Sequence, residues 1–201
     1  MMASLPRDAV LRSTDDGWTA ADWERLPDDD RRYEIIGGVL YASTAPSLFH
    51  QWVVQEMYVA LRQQLVSPGV AFVFVAPVGV FMPGCDPVQP DLVVVRREDQ
   101  GLLRERRVYG VPALLVEVLS PGSVEQDLAV KRAAYARAGV PEYWAVRPAG
   151  RDLLVHGEPE PGTGQYLQVT HFPPASELAS ATLSCRAPVA AFFAGAPDTT
   201  L

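Results

Sequence analysis

This sequence has no long apolar run and no closely spaced cysteines, and it contains a single lysine. No run approaches the ~18 apolar residues of a membrane-spanning helix, so no membrane partner is expected. The only cysteines, Cys85 and Cys185, lack the spacing of a metal-binding pair, which favours free thiols in a reducing compartment. The first 17 residues contain no apolar core of a signal peptide, so we expect a cytoplasmic location. The net charge of −7 argues against nonspecific nucleic-acid binding through a broadly basic surface.

The composition of the chain and its lack of a long linker predict a single α/β domain. Its 201 residues, 48% of them hydrophobic, are enough for one substantial core. We expect residues 1–17 to form a flexible leader, residues 18–195 the domain, and residues 196–201 a tail. No internal repeat or long linker divides the chain further.

Hydrophobic periodicity predicts the order of the elements before residue 113. The expected elements are a short helix with Thr19 as its N-cap and Pro27 just beyond its end, a hairpin turning at Gly37-Gly38, a helix at 47–65 with Ser47 as its N-cap, strands interrupted at Pro77, and a strand in "PDLVVVR". The arginine-rich stretch 96–110 is expected to be a surface loop or short helix.

The stretch 113–147 predicts a βαβ unit. "PALLVEVLS" is apolar on both faces, as in a central strand covered on two sides. The helix at 124–138 is expected to begin with a capping box of Ser123 and Gln126, and a parallel strand at 142–147 follows. Hairpin strands at 151–156 and 166–170 and an apolar C-terminal patch complete the chain. The patch, around Phe192-Phe193, is either a dimer interface or a cap on the core.

The charged residue inside this central strand, Glu117, needs a compensating partner, because a lone buried carboxylate costs several kcal/mol, roughly. Strand parity puts Glu117 on one face with Ala113, Leu115 and Leu119. If strand 90–96 is its neighbour, Asp91 converges with Glu117. Two close carboxylates repel unless a cation lies between them, and Mg²⁺ typically takes one or two protein carboxylates and keeps water.

Lys131 is the only lysine among 17 basic residues. It shares a helical stripe with Val124, Leu128 and Tyr135, which predicts that it faces the sheet that carries Glu117. An inward ammonium there is suited to orient water and to neutralise charge on a phosphate oxygen. Alternatively, Lys131 extends to solvent or pairs with Asp127 one turn back.

These segments resemble those of a known family. "RRYEIIGG", "HQ", "QPDLVVV", "LLVEVLSPGS" and "DLAVKRAAYARAGVPEYWAV" occur in the order seen in the Uma-two family, bacterial proteins regarded as endonucleases of the PD-(D/E)XK superfamily. The resemblance covers residues 18–157. It implies a PD-(D/E)XK, restriction-endonuclease-like α/β core, with a mixed central sheet flanked by helices and extra N- and C-terminal β-hairpins.

The resemblance also implies site residues. Asp91 matches the PD aspartate and Glu117 the acid of the (D/E)XK strand, both metal ligands in the superfamily. Leu119 stands where the usual lysine would be, and the lysine of this family has moved to the next helix, here Lys131. Glu34 matches an early glutamate that reaches the same metal directly or through water; otherwise it is a half-exposed strand acid.

Further positions are expected near the substrate or behind the ligands. His50 matches a recurrent histidine, expected as a substrate ligand or proton shuttle or, equally, as a capping or packing residue. Gln51 and Asp127 are also expected near the substrate or behind the metal ligands. Arg147 stands where the family commonly has aspartate, which either weakens catalysis or helps to bind phosphate.

The resulting hypothesis is a Mg²⁺-dependent endonuclease that hydrolyses DNA phosphodiester bonds, with Mn²⁺ able to substitute. A homodimer is expected, since two-fold symmetry matches a duplex. Two alternatives remain open. The first is a binding module that keeps the fold, has lost turnover and recognises nucleic acid or a protein; the second is a purely structural network of Asp91, Glu117 and Lys131.

Overall fold

The computed structural model describes residues 10–29 and 31–197. The helical elements are α1 (Ala20–Trp23), α2 (Leu48–Leu61), a π-helical segment (Arg62–Val66), a 3-10 turn (Gln100–Leu102), a second π-helical segment (Gln126–Lys131) that runs into α3 (Arg132–Ala138), and a 3-10 turn (Val189–Phe193). The strands are β1 (Leu11–Arg12), β2 (Arg32–Ile36), β3 (Val39–Ser43), β4 (Ala71–Val75), β5 (Gly79–Met82), β6 (Cys85–Val88), β7 (Leu92–Arg96), β8 (Leu103–Arg104), β9 (Arg107–Tyr109), β10 (Leu114–Val118), β11 (Glu142–Arg147), β12 (Asp152–Glu160), β13 (Gln165–Phe172), β14 (Glu177–Ala179) and β15 (Arg186–Pro188). In this part of the chain, no helix is both long and apolar enough to cross a membrane.

A six-stranded mixed sheet, in the order β13-β12-β11-β10-β7-β4, forms the centre. β10 pairs parallel with β11, which confirms the expected crossover pairing, and antiparallel with β7. Val116 lies opposite Leu92, so Asp91, one residue before β7, comes level with Glu117. The expected neighbour relation of these two strands is therefore confirmed.

Both faces of this sheet are covered. One face packs against α2 and the C-terminal segment, through side chains such as Met57 and Phe192. The other packs against α3 and a second sheet, and it carries Leu115, Leu119 and Glu117. Ala113 lies just before β10 and packs on the first face, unlike the parity prediction. Burial of each such aliphatic side chain contributes roughly 1.5–3 kcal/mol, and this favourable term anchors β10.

The second sheet has seven strands in the order β1-β3-β2-β6-β5-β9-β8, and it presents Glu34 to the first. Its predicted hairpin turns at Gly37 and Gly38, whose φ angles of 58° and 79° suit glycine. A Cβ at Gly38 would also collide with the Asp16 carbonyl. Leu11–Arg12 pairs with β3, so part of the expected leader is held in a sheet. Residues 1–9 of that leader and residues 198–201 of the expected tail lie outside the described residues.

For two peripheral segments, the stretch 96–110 and the patch around Phe192-Phe193, the sequence left the structure open. The arginine-rich stretch expected as a loop or short helix contains a 3-10 turn and two short strands, and β9 extends the seven-stranded sheet by pairing with β5. Phe192 and Phe193 are 2% and 3% exposed, so in this chain they cap the core beside α2. The division into leader, domain and tail stays a prediction.

Candidate active site

One pocket, at the end of β10 nearest Val118, gathers six of the predicted residues. They are Glu34, His50, Asp91, Glu117, Asp127 and Lys131. Each is at most 7% exposed. The side chains come from both sheets, from α2 and from the helix between β10 and β11, so tertiary folding is required to assemble the pocket.

Lys131 lies at the centre of the acidic side chains. Its Nζ atom is 2.9 Å from Glu34 Oε2, 3.0 Å from Glu117 Oε1 and 3.4 Å from Asp127 Oδ1. The side chain is 4% exposed, so it faces inward and does not extend to solvent. The alternative pairing with Asp127 is present as well, but as one of three contacts.

The π-helical segment Gln126–Lys131 explains how one helix supplies three pocket residues. A π turn closes hydrogen bonds between residues five apart, so Gln126 and Lys131 return to the same side of the helix. Gln126 Nε2 donates to Glu34 Oε2 at 3.4 Å. The predicted capping box is therefore wrong: Gln126 turns into the pocket, and the Ser123 hydroxyl accepts from Ser120 N at 3.0 Å.

Asp91 is held by three donors. Its Oδ1 accepts from Arg32 Nη1 at 2.9 Å, and its Oδ2 accepts from Val118 N at 2.8 Å and lies 3.1 Å from His50 Nε2. Burial acts to raise the pKa of Asp91, but hydrogen bonding and charge from His50, with the Arg32 guanidinium, hold it well below the usual range. Asp91 therefore stays ionised.

Glu117 shows the opposite tendency. Burial raises its pKa well above the usual range; Lys131 opposes that rise, while the charges of Asp127 and Asp91 add to it. Tyr135 donates to Glu117 Oε1 at 2.7 Å. Burial likewise raises the pKa of Asp127. One ammonium cannot compensate several carboxylates at once, so the protonated form of an acid is favoured here.

The pKa of Lys131 follows from the same cluster. Burial acts to lower it, but attraction to Glu117, and then to Glu34 and Asp127, outweighs burial and places it well above the usual range. Lys131 is therefore an ammonium ion at neutral pH. It is suited to stabilise negative charge and unsuited to accept a proton.

The pocket holds two more carboxylates than permanent cations. The carboxylates are Glu34, Asp91, Glu117 and Asp127; the cations are Lys131 and Arg32. Oxygen donors in a cluster with more carboxylates than cations fit a hard divalent cation such as Mg²⁺. Within residues 10–29 and 31–197, no group of three or more histidine, cysteine, aspartate or glutamate side chains is arranged to hold a metal ion. The donor set therefore fits a site with two carboxylates and water better than a cage made of protein ligands alone.

Two predicted residues lie outside this pocket. Gln51 is exposed on α2. Arg147 pairs with Asp152 through Nε at 2.8 Å and Nη2 at 2.5 Å, and Asp152 also lies 2.7 Å from His171 Nε2. Arg147 and Asp152 border an adjoining cleft.

Sequence reasoning assigned no place in the site to three residues: Arg32 and Gln126 line the pocket, and Tyr135 contacts Glu117 from α3. Arg32 had a usable signal, because it lies two residues before Glu34 in one strand and so shares its face. Tyr135 stood in the helical stripe of Lys131, but its hydroxyl contact was not foreseen. Gln126 was hidden by its match to a capping rule.

The chain is similar to a known family and to a solved structure. A family model described as "Uma2: Putative restriction endonuclease" matches residues 20–190. The crystal structure of "a putative nuclease belonging to DUF820" from Anabaena variabilis matches with a TM-score of 0.74 and 16% identity, covering 88% of this chain and 97% of that one. At this identity the likeness concerns the fold, and it confirms the expected fold class. No match was found among curated proteins.

Proposed function

Because the chain belongs to the Uma2 (Uma-two) family, we propose that it is a metal-dependent endonuclease that hydrolyses phosphodiester bonds in DNA. One observation carries the proposal. The only lysine of the chain bridges Glu117 and Glu34 inside the pocket that also holds Asp91. This arrangement matches the acid, acid and lysine pattern of the PD-(D/E)XK superfamily, with the lysine on the helix instead of the strand.

Asp91 and Glu117 would hold the divalent ion, Mg²⁺ or in its place Mn²⁺. When bound, the ion supplies charge neutralisation and a water of lowered pKa. Glu34 has both oxygens engaged by protein donors, since Oε1 accepts from Gln89 N at 2.8 Å and Oε2 contacts Lys131 at 2.9 Å. Its contacts support a role in holding Lys131 in place, with any link to the ion through water.

The other side chains have separable roles in this proposal. The Lys131 ammonium stabilises the negative charge that develops on a phosphate oxygen. Arg32 and His50 keep Asp91 ionised and oriented. Tyr135 fixes Oε1 of Glu117. The buried setting strengthens each of these electrostatic interactions, because it excludes water.

The test is the substitution Lys131→Met, which keeps the length of the side chain and removes its charge. Nicking of supercoiled plasmid in Mg²⁺ or Mn²⁺ should fall by roughly 10²–10³-fold, the typical loss when one charge-stabilising group is removed. Arg137→Met, an exposed cation on α3, is the matched control and should cut like the parent. Thermal unfolding would verify that both variants fold.

Equal nicking by Lys131→Met and parent would contradict the proposal, as would a parent that cuts in neither ion. The binding module without turnover is the second candidate, and one observation favours it. The oxygens of Asp91 already accept from Arg32 and Val118, so a metal must compete with protein donors. Calorimetry with Mn²⁺ separates the two, because no uptake would favour the binding module. The homodimer stays a prediction.

A further inference from the structure

A second depression, which we call the apolar cleft, opens beside the candidate active site. It has a volume of about 800 Å³, within the usual range for ligand sites. Its apolar walls are Phe49, Leu119, Pro121, Val124, Leu128 and Pro148. His50 and Ser120 line both the cleft and the acidic pocket, so one continuous ligand can occupy both.

The cleft differs chemically from the pocket it adjoins. Four carboxylates line the pocket, whereas the charged side chains at the cleft, Arg147 and Asp152, neutralise each other through a bidentate pair. Val124 remains 42% exposed although it is apolar. The cleft therefore presents an uncharged, hydrophobic surface next to groups suited to a phosphate.

We propose that the apolar cleft binds an unpaired nucleobase adjacent to the phosphate in the pocket. This inference rests on the proposed function, because that function puts a nucleic-acid phosphate beside His50 and Ser120. Bases inside a duplex already stack on their neighbours, so only an unpaired or extruded base offers an apolar face to protein. The reacting side chains are at most 7% exposed, so the strand must bend inward to reach them. A single strand or a locally unpaired strand meets both demands.

The test measures binding apart from cleavage. Fluorescence anisotropy would compare a 12-residue thymidine strand with a strand of equal length made only of abasic nucleotides, in Ca²⁺, with both strands verified to be uncut. The parent should bind the thymidine strand roughly 5- to 100-fold more tightly, the range expected when one base stacks on side chains. Pairing the thymidine strand with its complement should remove most of this advantage.

Val124→Glu places a charge in the cleft and should erase most of the preference for the strand with bases. Any repulsion of phosphates by the new charge acts on both strands alike, so it cancels in the comparison. Val59→Glu is the matched control: Val59 is a helical valine of 40% exposure outside the cleft, and its variant should keep the preference.

Equal binding of the two strands by the parent, binding of neither, or equal behaviour of the two variants would overturn the inference. The other occupant to be tested is a second copy of the chain, and sedimentation of the parent and of Val124→Glu would measure the oligomeric state. If Val124→Glu changes the oligomeric state and keeps the preference for the strand with bases, the cleft does not bind a nucleobase. A preference that depends on the cleft, in a parent that cuts no DNA, would overturn the hydrolysis and leave this binding site standing.

Discussion

Two glutamates on neighbouring parallel strands of one sheet have very different surroundings. Glu117 in β10 is 2% exposed and Glu142 in β11 is 0% exposed. Glu142 accepts from neutral donors: Trp144 Nε1 at 2.5 Å, Ser180 Oγ at 2.8 Å, and Thr182 N and Oγ1 at 3.0 and 2.7 Å. This carboxylate holds the segment before β15 against the central sheet. Both of its oxygens already accept hydrogen bonds from protein donors.

Glu117 instead shares one cation, Lys131, with Glu34 and Asp127, in a pocket that opens to the surface. A buried acid that is satisfied by fixed neutral donors is a structural element, since its hydrogen bonds compensate its burial. A buried acid in a cluster with surplus charge is favourable only when a further cation joins it or a proton is taken up. Glu142 is therefore satisfied by fixed donors, whereas the cluster around Glu117 would be stabilised by a further cation or by a proton.

The largest effect that tests this comparison is expected from Glu117→Gln. The variant keeps the shape of the side chain and removes one of the repelling charges, while Lys131 retains Glu34 and Asp127. Plasmid nicking should fall by roughly 10²–10³-fold, or about 3–4 kcal/mol in activation free energy, with little change in urea unfolding. If the variant nicks at the parental rate, Glu117 has only a structural role, as Glu142 has.

The same substitution at the other glutamate, Glu142→Gln, should have the reverse outcome. An amide NH₂ then faces groups that donate, including the Trp144 indole and Thr182 N, so at least one buried donor loses its acceptor. The free energy of unfolding should fall by about 2 kcal/mol, measured by urea titration, while the nicking rate per folded molecule stays unchanged. Unchanged stability would mean that the segment around Thr182 is held by other contacts.

Much of the pocket was predictable, because its main residues follow local periodicity. Alternation along β10 places Glu117 on the face toward α3, and helical spacing places Lys131 opposite it. Once β7 and β10 are paired in the observed register, Asp91 comes level with Glu117. Each of these steps uses only a fixed geometric repeat and one assumption about neighbouring strands.

The remaining features depend on contacts that no local pattern encodes. Gln126 reaches Glu34 only through a π-helical segment, and the usual capping rule predicted another role for it. Glu142 drew no attention in the sequence, because its partners Ser180 and Thr182 follow it by 38 and 40 residues. Long-range satisfaction of a buried group becomes visible only after the loops are placed.

His156 is a third buried polar side chain, and it has neither the neutral hydrogen-bond donors of Glu142 nor the charged partner of Glu117. It is 4% exposed and stacks on Tyr143, and among the described residues neither of its ring nitrogens has a hydrogen-bond partner. Burial, and then the charge of Arg132, lowers its pKa from 6.5 to about 4. Below pH 6.5 the unfolded chain takes up a proton that the folded chain does not bind, so stability should decline down to about pH 4 by about 3 kcal/mol. In urea titrations across this range, His156→Phe should flatten the decline, and an unchanged slope would assign it to other groups.

The smallest effect is expected from Tyr135→Phe, which removes a single neutral donor from Glu117 and so tests whether hydrogen bonds matter less there than at Glu142. The hydroxyl donates to Glu117 Oε1 at 2.7 Å, while the ring packs edge-on against Tyr143 and should stay in place. Because Lys131 still contacts that oxygen, nicking should fall only three- to tenfold, roughly 1 kcal/mol. Tyr166→Phe removes a similar hydroxyl, which donates to Val140 O at 3.0 Å; it should cost similar stability and leave nicking unchanged. If Tyr135→Phe and Tyr166→Phe lose activity equally, the hydroxyl of Tyr135 affects nicking only through the stability of the fold. The hydrogen bond to Glu117 would then have no separate effect on the site.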